Sequence, residues 1–243
     1  EHFGFAATVF ERAPVSDIAG AGIQLSPNAT RLLDRLAVLP RLKAQAVEPK
    51  SVLLCDGATT MPLLSLDVSD AAKRWGAPYW VAHRADLHAA LLAQAASRPA
   101  IRIRPGCEVS HFAAHANGVT VSLTSNNIVT EDEGMLLIGA DGVWSRVRAR
   151  LGGPRPMFSG QVAFRKMYGA NAGLPPVLET LLSGRQVAAF LSRQAHIVAY
   201  PVNAGRSLNL VAIAKSVDSR ASVTALPNAF QQFDPPLAAL TST

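Results

Sequence analysis

Short apolar runs separated by turn residues dominate the first hundred positions of the chain. Residues 5–10 are nearly all apolar, which is typical of a buried parallel strand, and the run ends at Glu11. Ser26 can cap a helix that has Pro27 in its first turn. The leucines that follow recur at helical spacing: Leu32, Leu33, Leu36 and Leu39. Residues 51–81 predict two or three strands, 85–96 a second helix and 101–104 another short strand.

The pattern becomes antiparallel between residues 108 and 130. Asn117-Gly118 predicts a hairpin turn, because both residue types tolerate positive φ. A polar–apolar alternation follows, and Asn126-Asn127 turns the chain again, so a three-stranded meander is expected. Residues 135–138 predict a further buried apolar strand, followed by a Gly-Asp-Gly turn and a helix from about Ser145.

A second domain is expected after residue 155. Four strand-like segments indicate an antiparallel sheet: 163–168, 186–191, 196–201 and 208–214. One helix is predicted among them at 176–182, and another short one near 229–233. The predicted division is therefore 1–155 and 156–243, with the strands of 51–81 contributing to the second domain's side.

Composition and charge narrow the class of protein. Hydrophobic residues make up 49% of 243 positions and charged residues 16%, which supports a folded core. The net charge is +6, but the basic residues are scattered, so anionic small ligands are favoured over nucleic acid. No apolar run is long enough for a membrane span, and the N-terminus does not resemble a signal peptide. Two cysteines favour a reducing cytoplasm, and no metal site is predicted.

Two features near the N-terminus have the chemistry of nucleotide binding. Glu11 ends a strand, where a carboxylate can accept hydrogen bonds from ribose hydroxyls; the alternative is a solvated loop residue. The Gly-rich phosphate turn of such a unit would lie about 20 residues earlier, before residue 1. Small residues around Gly20 and Gly22 would let the backbone approach a flat ligand, unless they form an ordinary loop and cap.

Two further features follow later in the chain. Arg84 begins a predicted helix and could reach a pyrophosphate, although pairing with Asp86 on the surface is the alternative. Asp141 lies in a Gly-Asp-Gly turn between an apolar strand and a helix, which indicates an anion-facing concavity of backbone N–H groups. An Asp-Gly pair alone is usually only a turn.

Together, in this order, the segments from Thr8 to Ala29, from His83 to Leu87 and from Gly139 to Arg148 resemble the single-component (class A) FAD-dependent aromatic-ring monooxygenases. Salicylate hydroxylase and para-hydroxybenzoate hydroxylase are members of that family. The resemblance implies an α/β fold, with a Rossmann-like parallel FAD-binding sheet and a three-stranded meander, plus an α+β substrate domain with an antiparallel or mixed sheet. The residues that it assigns to cofactor binding are Glu11, Arg12, Gly22, Ile23, Gln24, Arg84, Val109, Asp141 and Gly142.

Two segments of that family are not found in this sequence. They are the N-terminal Gly-x-Gly-x-x-Gly turn and the C-terminal Gly-Asp-Ala-Ala-His segment. Both supply backbone donors to the FAD pyrophosphate, so we expect this chain to hold FAD poorly.

The resemblance implies an NAD(P)H-consuming hydroxylation of a small phenol or aromatic acid by molecular oxygen, through a flavin hydroperoxide. Arg165 could pair with a substrate carboxylate, and His196 and Tyr200 could serve proton transfer; each could instead be a structural or exposed strand residue. A homodimer is a further possibility. The rival interpretations are a related flavoenzyme, such as a halogenase or prenyl-chain reductase, and a non-catalytic remnant without cofactor. The halogenase Trp-x-Trp-x-Ile-Pro signature does not occur.

Overall fold

The computed structural model describes residues 4–13, 21–169, 172–220 and 227–240. These residues form two compact units, each made from two stretches of chain. The first unit comprises residues 1–18 and 95–158, and the second comprises 19–94 and 159–243. The sequence predicts that residues 1–155 bind the cofactor and that residues 156–243 bind the substrate. The division into compact units does not test what each part binds, so this assignment stays a prediction.

Strands and short helices alternate along the chain. The strands are β1 (Ala7–Glu11), β2 (Gly22–Leu25), β3 (Ser51–Asp56), β4 (Pro62–Asp67), β5 (Trp80–His83), β6 (Ile101–Pro105), β7 (Glu108–His115), β8 (Gly118–Ser125), β9 (Ile128–Gly134), β10 (Gln161–Gly169), β11 (Gln186–Leu191), β12 (Ala195–Val202) and β13 (Ser207–Lys215). The helices are α1 (Pro27–Arg35), α2 (Leu39–Leu42), α3 (Ala71–Trp75), α4 (Arg84–Ala96), α5 (Arg146–Arg150), α6 (Pro176–Gly184), α7 (Pro227–Phe230) and α8 (Pro235–Ala239).

In the first unit, β1 and β6 form the expected parallel pair. The predicted burial of this strand is wrong on one face, because Phe5 and Val9 are 59% and 47% exposed. Phe10, on the opposite face, packs against the buried cluster of the β7–β8–β9 meander. Among the described residues β1 pairs with β6 alone, so nothing covers the face that carries Val9.

The predicted meander is present as β7, β8 and β9, but its first turn differs from the prediction. His115 pairs with Gly118, so the chain reverses one residue earlier than Asn117-Gly118. Gly118 instead begins β8, where a Cβ atom would collide with the Gly134 carbonyl oxygen. The left-handed backbone occurs at the second turn, with φ of 50° at Asn126 and 63° at Asn127.

The predicted buried strand at 135–138 is also wrong. The segment has no regular secondary structure, and three of its side chains are more than 70% exposed: Met135 76%, Leu136 77% and Ile138 76%. Leu137 alone packs against the meander cluster. In the described part of the chain no strand runs beside this segment, so its backbone has no ladder to join.

The second unit is built on a six-stranded mixed sheet, in the order β10-β13-β12-β11-β3-β4. The only parallel pair in it is β11 with β3. A separate antiparallel pair joins β2 to β5. The four strands and the helix expected after residue 155 are confirmed, as are three strands within 51–81.

Each face of this sheet buries its own apolar layer. On one face, Phe190 and Ile197 pack among residues of α6 and α8. On the other, Tyr200 and Val202 pack with Val81 of β5. The mixed α/β class is therefore confirmed, and the two faces of the sheet pack against different elements.

Helix α1 begins at Pro27, with Ser26 at the capping position as predicted. The Ser26 hydroxyl makes no capping bond, and donates to Asn28 Oδ1 at 2.5 Å. The leucine stripe is partly wrong, because Leu32 and Leu36 are each 56% exposed. Within the described residues, no helix combines the length and apolar character that a membrane crossing requires.

Candidate functional site

Three of the predicted side chains lie on one face of the six-stranded sheet. His196 and Tyr200 alternate along β12 with Val198 between them, so these three share a face. Val198 pairs with Val211 on β13, and Val211 pairs with Arg165 on β10. Because cross-strand partners share a face, Arg165 belongs to the same surface. Alternation within each strand does not decide this, and the register does.

Tyr200 is the buried centre of this face, with 4% of its surface exposed. Burial, and to a lesser degree the nearby Tyr79, raise the pKa of Tyr200 to about 12, against the lowering effect of the Arg165 guanidinium. Burial also raises the pKa of Tyr79 to about 12. Both phenols are therefore protonated at neutral pH and act as donors. Tyr79 donates its hydroxyl proton to Gln24 Oε1 at 2.6 Å.

Strand β2 lies directly against this face. The Gly22 N–H donates to Oδ1 of Asn209 at 2.7 Å, and Asn209 is completely buried. A Cβ atom on Gly22 would lie 2.6 Å from Tyr200 Cε2 and 2.7 Å from Asn209 Cγ. Glycine at this position is therefore required by close packing.

Sequence reasoning did not find Asn209. Its register partners are Tyr200 on β12 and Met167 on β10. The available signal is an amide between Leu208 and Leu210, in a strand that is otherwise apolar. A buried polar residue in such a run needs a hydrogen-bond partner, and here the partner is 187 residues away in sequence.

The start of α4 joins the same neighbourhood. The Arg84 N–H donates to the Ala21 carbonyl oxygen at 2.8 Å, and Gly22 pairs with His83. The structure thus brings the predicted residues Gly22, Ile23 and Gln24 together with Arg84. The Arg84 side chain is exposed, and within the described residues it forms no ion pair with Asp86. An exposed, unpaired guanidinium fits an anion such as a pyrophosphate.

A cleft of about 450 Å³ lies in this unit. Its lining residues are His83, Asp86, Met167, Asn203 and Ser207. Met167 connects the cleft to the face that carries Tyr200, through its pairing with Asn209. His83 Nδ1 accepts the Ala85 N–H at 3.3 Å, which leaves Nε2 as the protonated nitrogen of the neutral ring.

The first unit holds the other predicted cofactor residues. Glu11 ends β1 and is exposed, as is Arg12. One Glu11 carboxylate oxygen accepts the Ala13 N–H at 2.7 Å. The backbone carbonyl oxygen of Glu11 accepts the Cys107 N–H at 3.0 Å. That bond brings the end of β1 close to Val109, which is half-buried at a bulge in β7. A strand-end carboxylate at the edge of a parallel pair fits ribose hydroxyl donors.

Asp141 caps α5. Its Oδ2 accepts the N–H groups of Arg146 at 2.7 Å and Val147 at 3.2 Å, and its Oδ1 accepts the Ser145 hydroxyl at 2.5 Å. Ser145 in turn accepts the Arg148 N–H at 2.9 Å. These N–H groups at the start of α5 are thus already paired within the chain. The anion-facing concavity expected at the Gly-Asp-Gly turn stays a prediction.

The electrostatics of Asp141 follow from these contacts. Partial burial raises the pKa of its carboxyl, but the hydrogen bonds from Ser145, Val147 and Arg146 outweigh burial and hold the pKa below its usual value. The carboxylate is therefore ionised at neutral pH. Gly142, the next residue, has a φ of 77°, which the turn requires.

Comparison with known proteins identifies the family. Residues 2–225 match the family model described as "FAD binding domain". The chain is 34% identical over 214 residues to the FAD-dependent monooxygenase OpS4 of Beauveria bassiana strain ARSEF 2860, covering 86% of this chain and 49% of that protein. It is 31% identical over 215 residues to 3-hydroxybenzoate 6-hydroxylase 1 of Aquipseudomonas alcaligenes, covering 88% and 52%.

A third relative is the 3-amino-4-hydroxybenzoate 2-monooxygenase PtmB3 of Streptomyces platensis, with 32% identity over 206 residues, 82% of this chain and 48% of that protein. Among solved structures, CtdE in complex with FAD and its substrate 4 has a similar fold, with a TM-score of 0.80 and 16% identity over 98% of this chain and 61% of that one. The chain thus spans about half the length of these curated relatives. The family match covers most of the sequence, and the chain belongs to the FAD-binding domain family of the class A FAD-dependent aromatic-ring monooxygenases.

Proposed function

We propose that the whole protein is an FAD-dependent monooxygenase that uses NAD(P)H and molecular oxygen to hydroxylate a small aromatic acid bearing a hydroxyl group. The relatives named for 3-hydroxybenzoate and 3-amino-4-hydroxybenzoate act on rings of this class. The rival remnant without cofactor has no support among these relatives.

The observation that carries the proposal is the shared sheet face of Arg165, His196 and Tyr200, with β2 packed against it. The Arg165 guanidinium can bind a ring carboxylate through two parallel hydrogen bonds. Tyr200, held protonated by burial, can donate to the oxygen of a ring hydroxyl. His196 lies four residues from Tyr200 on β12, about 13 Å along the strand, so its imidazole would receive the proton of this hydroxyl through a chain of water molecules.

Each of the residues that the family resemblance assigns to the cofactor has a proposed role. Glu11 would receive the adenosine ribose hydroxyls, with Arg12 and Val109 beside the adenosine portion. Arg84 would face the pyrophosphate, and the backbone of Gly22, Ile23 and Gln24 would lie along the isoalloxazine. When bound, FAD supplies the redox and oxygen chemistry, and these residues bind and orient it. Asp141 and Gly142 would support it through the turn that they form.

Two accompanying proposals concern the state of the protein in the cell. Both cysteines, Cys55 and Cys107, are free and buried, which supports a reducing compartment such as the cytoplasm. A homodimer is proposed as the oligomeric state, and sedimentation equilibrium of the purified protein tests it.

The first test is the visible absorption spectrum of the purified protein before and after incubation with FAD. A flavin band that stays with the protein through gel filtration supports the proposal. If FAD is retained, NADH and NADPH oxidation and oxygen uptake are followed with 3-hydroxybenzoate, and with benzoate and phenol as analogues that each lack one group. A purified whole protein that never retains flavin would contradict the proposed activity.

The second test changes the carboxylate-binding residue. Arg165→Met is expected to raise KM for the aromatic acid about tenfold or more, because a charge-assisted hydrogen bond contributes about 1.5–3 kcal/mol. KM for phenol, which has no carboxylate, should change little. Lys166→Met is the matched control, because this substitution also removes one positive charge, but from a side chain on the opposite face of β10. Equal effects of both substitutions, or none from Arg165→Met, would remove Arg165 from the site.

A further inference from the structure

Asn209 has half of its amide satisfied and half unpaired. Its Oδ1 accepts the Gly22 N–H at 2.7 Å. Among the described residues, its Nδ2 is the buried side-chain polar atom that has no hydrogen-bond partner. An apolar residue at this position would remove the unpaired Nδ2 but would leave the Gly22 N–H without its acceptor. The bond to Gly22 therefore explains the asparagine.

The orientation of the amide is determined by its partner. The backbone nitrogen of Gly22 is a donor, so the atom that faces it has to be the carbonyl oxygen of Asn209. A flipped amide would place two donors 2.7 Å apart. The unpaired group is consequently Nδ2 in any assignment.

The bond connects two strands that belong to different sheets. Gly22 begins β2, which pairs with β5, whereas Asn209 is the third residue of β13 in the six-stranded sheet. The Tyr200 ring completes the contact, because a Cβ atom on Gly22 would meet its Cε2 and hydroxyl at 2.6 and 2.8 Å. The Gly22 backbone is thus held between a hydrogen bond and an aromatic ring.

We propose that Asn209 is a positioning residue that sets the separation between β2 and the sheet face of Tyr200. This inference rests on the proposed function, in which β2 lies along the isoalloxazine and Tyr200 faces the aromatic substrate. Losing the bond would let β2 move away from the sheet. The flavin ring and the substrate-facing side chains would then no longer be held at one distance.

Amide hydrogen exchange at Gly22 tests the bond directly, without turnover. The Gly22 N–H donates to the Asn209 side chain, so its protection depends on that side chain. Nuclear magnetic resonance of the full chain is expected to show slow exchange at Gly22. Fast exchange at Gly22 in the unsubstituted protein, while the neighbouring β5 amides are protected, would overturn the proposal at once.

Three variants then separate positioning from mere packing. Asn209→Leu keeps the size but removes the acceptor, and should lower Gly22 protection at least tenfold and weaken FAD binding about tenfold, measured by flavin fluorescence. Asn209→Asp keeps the acceptor oxygen and should retain both the protection of the Gly22 amide and the affinity for FAD. Gln186→Met is the matched control, because Gln186 donates to Ser51 Oγ at 3.0 Å in the same sheet without touching β2. Its effect on Gly22 and on FAD should be negligible.

The outcomes are distinct. Loss of Gly22 protection in Asn209→Leu with unchanged FAD affinity, flavin spectrum and KM would make Asn209 a structural residue and overturn the proposal. If Asn209→Leu does not fold, Gly22 exchange in Asn209→Asp and in the unsubstituted chain still decides the bond. A whole protein that never retains FAD would contradict the proposed function and the role of Asn209 toward the flavin, while the exchange data would report separately on the Gly22–Asn209 bond.

Discussion

Asp141 illustrates how a single side chain can serve a helix. Both of its carboxylate oxygens accept hydrogen bonds from the first turn of α5, and Ser145 contributes a further acceptor. A helix of five residues has few internal hydrogen bonds, so it depends on such caps. The turn that the family resemblance assigns to cofactor binding is thus also a local folding device.

Replacing this carboxylate should destabilise the protein in a pH-dependent way. Asp141→Ala is expected to lower the free energy of unfolding by about 1 kcal/mol at neutral pH, the usual cost of losing a cap. The folded pKa lies below the unfolded value of about 3.9. The charge-dependent part of the stabilisation is therefore present above that value, and is lost as the pH falls through the folded pKa.

Urea denaturation of the wild type, Asp141→Ala and Asp141→Asn measures this loss of stability. The series runs from about pH 2.5 to about pH 7, on both sides of the unfolded-state pKa of roughly 3.9. The difference between the wild type and Asp141→Asn should shrink as the pH falls. A difference that stays constant across this range would show that the charge does not contribute.

At the scale of elements, β11 is the strand where the two layers of the second unit are easiest to compare. Ala188 and Phe190 point to the layer that packs with α6 and α8, and Val187 points to the layer of Tyr200. Phe190 is completely buried, whereas the adjacent Leu191 is 37% exposed. Period-two alternation thus sends neighbouring apolar residues into different surroundings.

Truncating these two neighbours should have unequal effects. Phe190→Ala is expected to cost about 3–5 kcal/mol, because it removes a large side chain from a packed core and leaves a cavity. Leu191→Ala, as the control on the same strand, should cost less than about 1 kcal/mol. Equilibrium unfolding in urea with a common m-value gives both numbers. Similar losses would contradict the assignment of the two faces.

At the scale of the whole molecule, the residues proposed for FAD come from both compact units. Glu11, Arg12 and Val109 belong to the first unit, and Gly22 and Arg84 to the second. The proposed role of each residue toward FAD can therefore be tested by substituting that residue alone.

Arg84→Ala should raise the dissociation constant of FAD about tenfold, because it removes a charge-assisted contact to the pyrophosphate. Isothermal titration calorimetry measures this dissociation constant. Arg35→Ala is the control, because it also removes an exposed arginine from the same unit. Bound FAD should also stabilise the fold, by about 2.7 kcal/mol at a hundredfold excess over the dissociation constant. Equal affinity of Arg84→Ala and Arg35→Ala would exclude Arg84 from the site.

Much of the fold was predictable because local patterns match local structure. The meander, the four later strands and the helices α4 and α6 follow from periodicity and turn residues. Errors arose where the local pattern lacked a tertiary partner. Residues 135–138 have the composition of a buried strand, yet no described strand pairs with them. Leu32 and Leu36 recur at helical spacing, yet both are exposed.

The order of residue types along the chain was enough to identify the family, the class of fold and the side chains with suitable chemistry. Which of these side chains meet depends on how the strands pair. The register of β10, β13 and β12 places Arg165 beside the face of Tyr200, and the Gly22–Asn209 hydrogen bond joins positions 187 residues apart. Alternation specifies that neighbours in a strand face opposite ways, but only pairing between strands defines a common face.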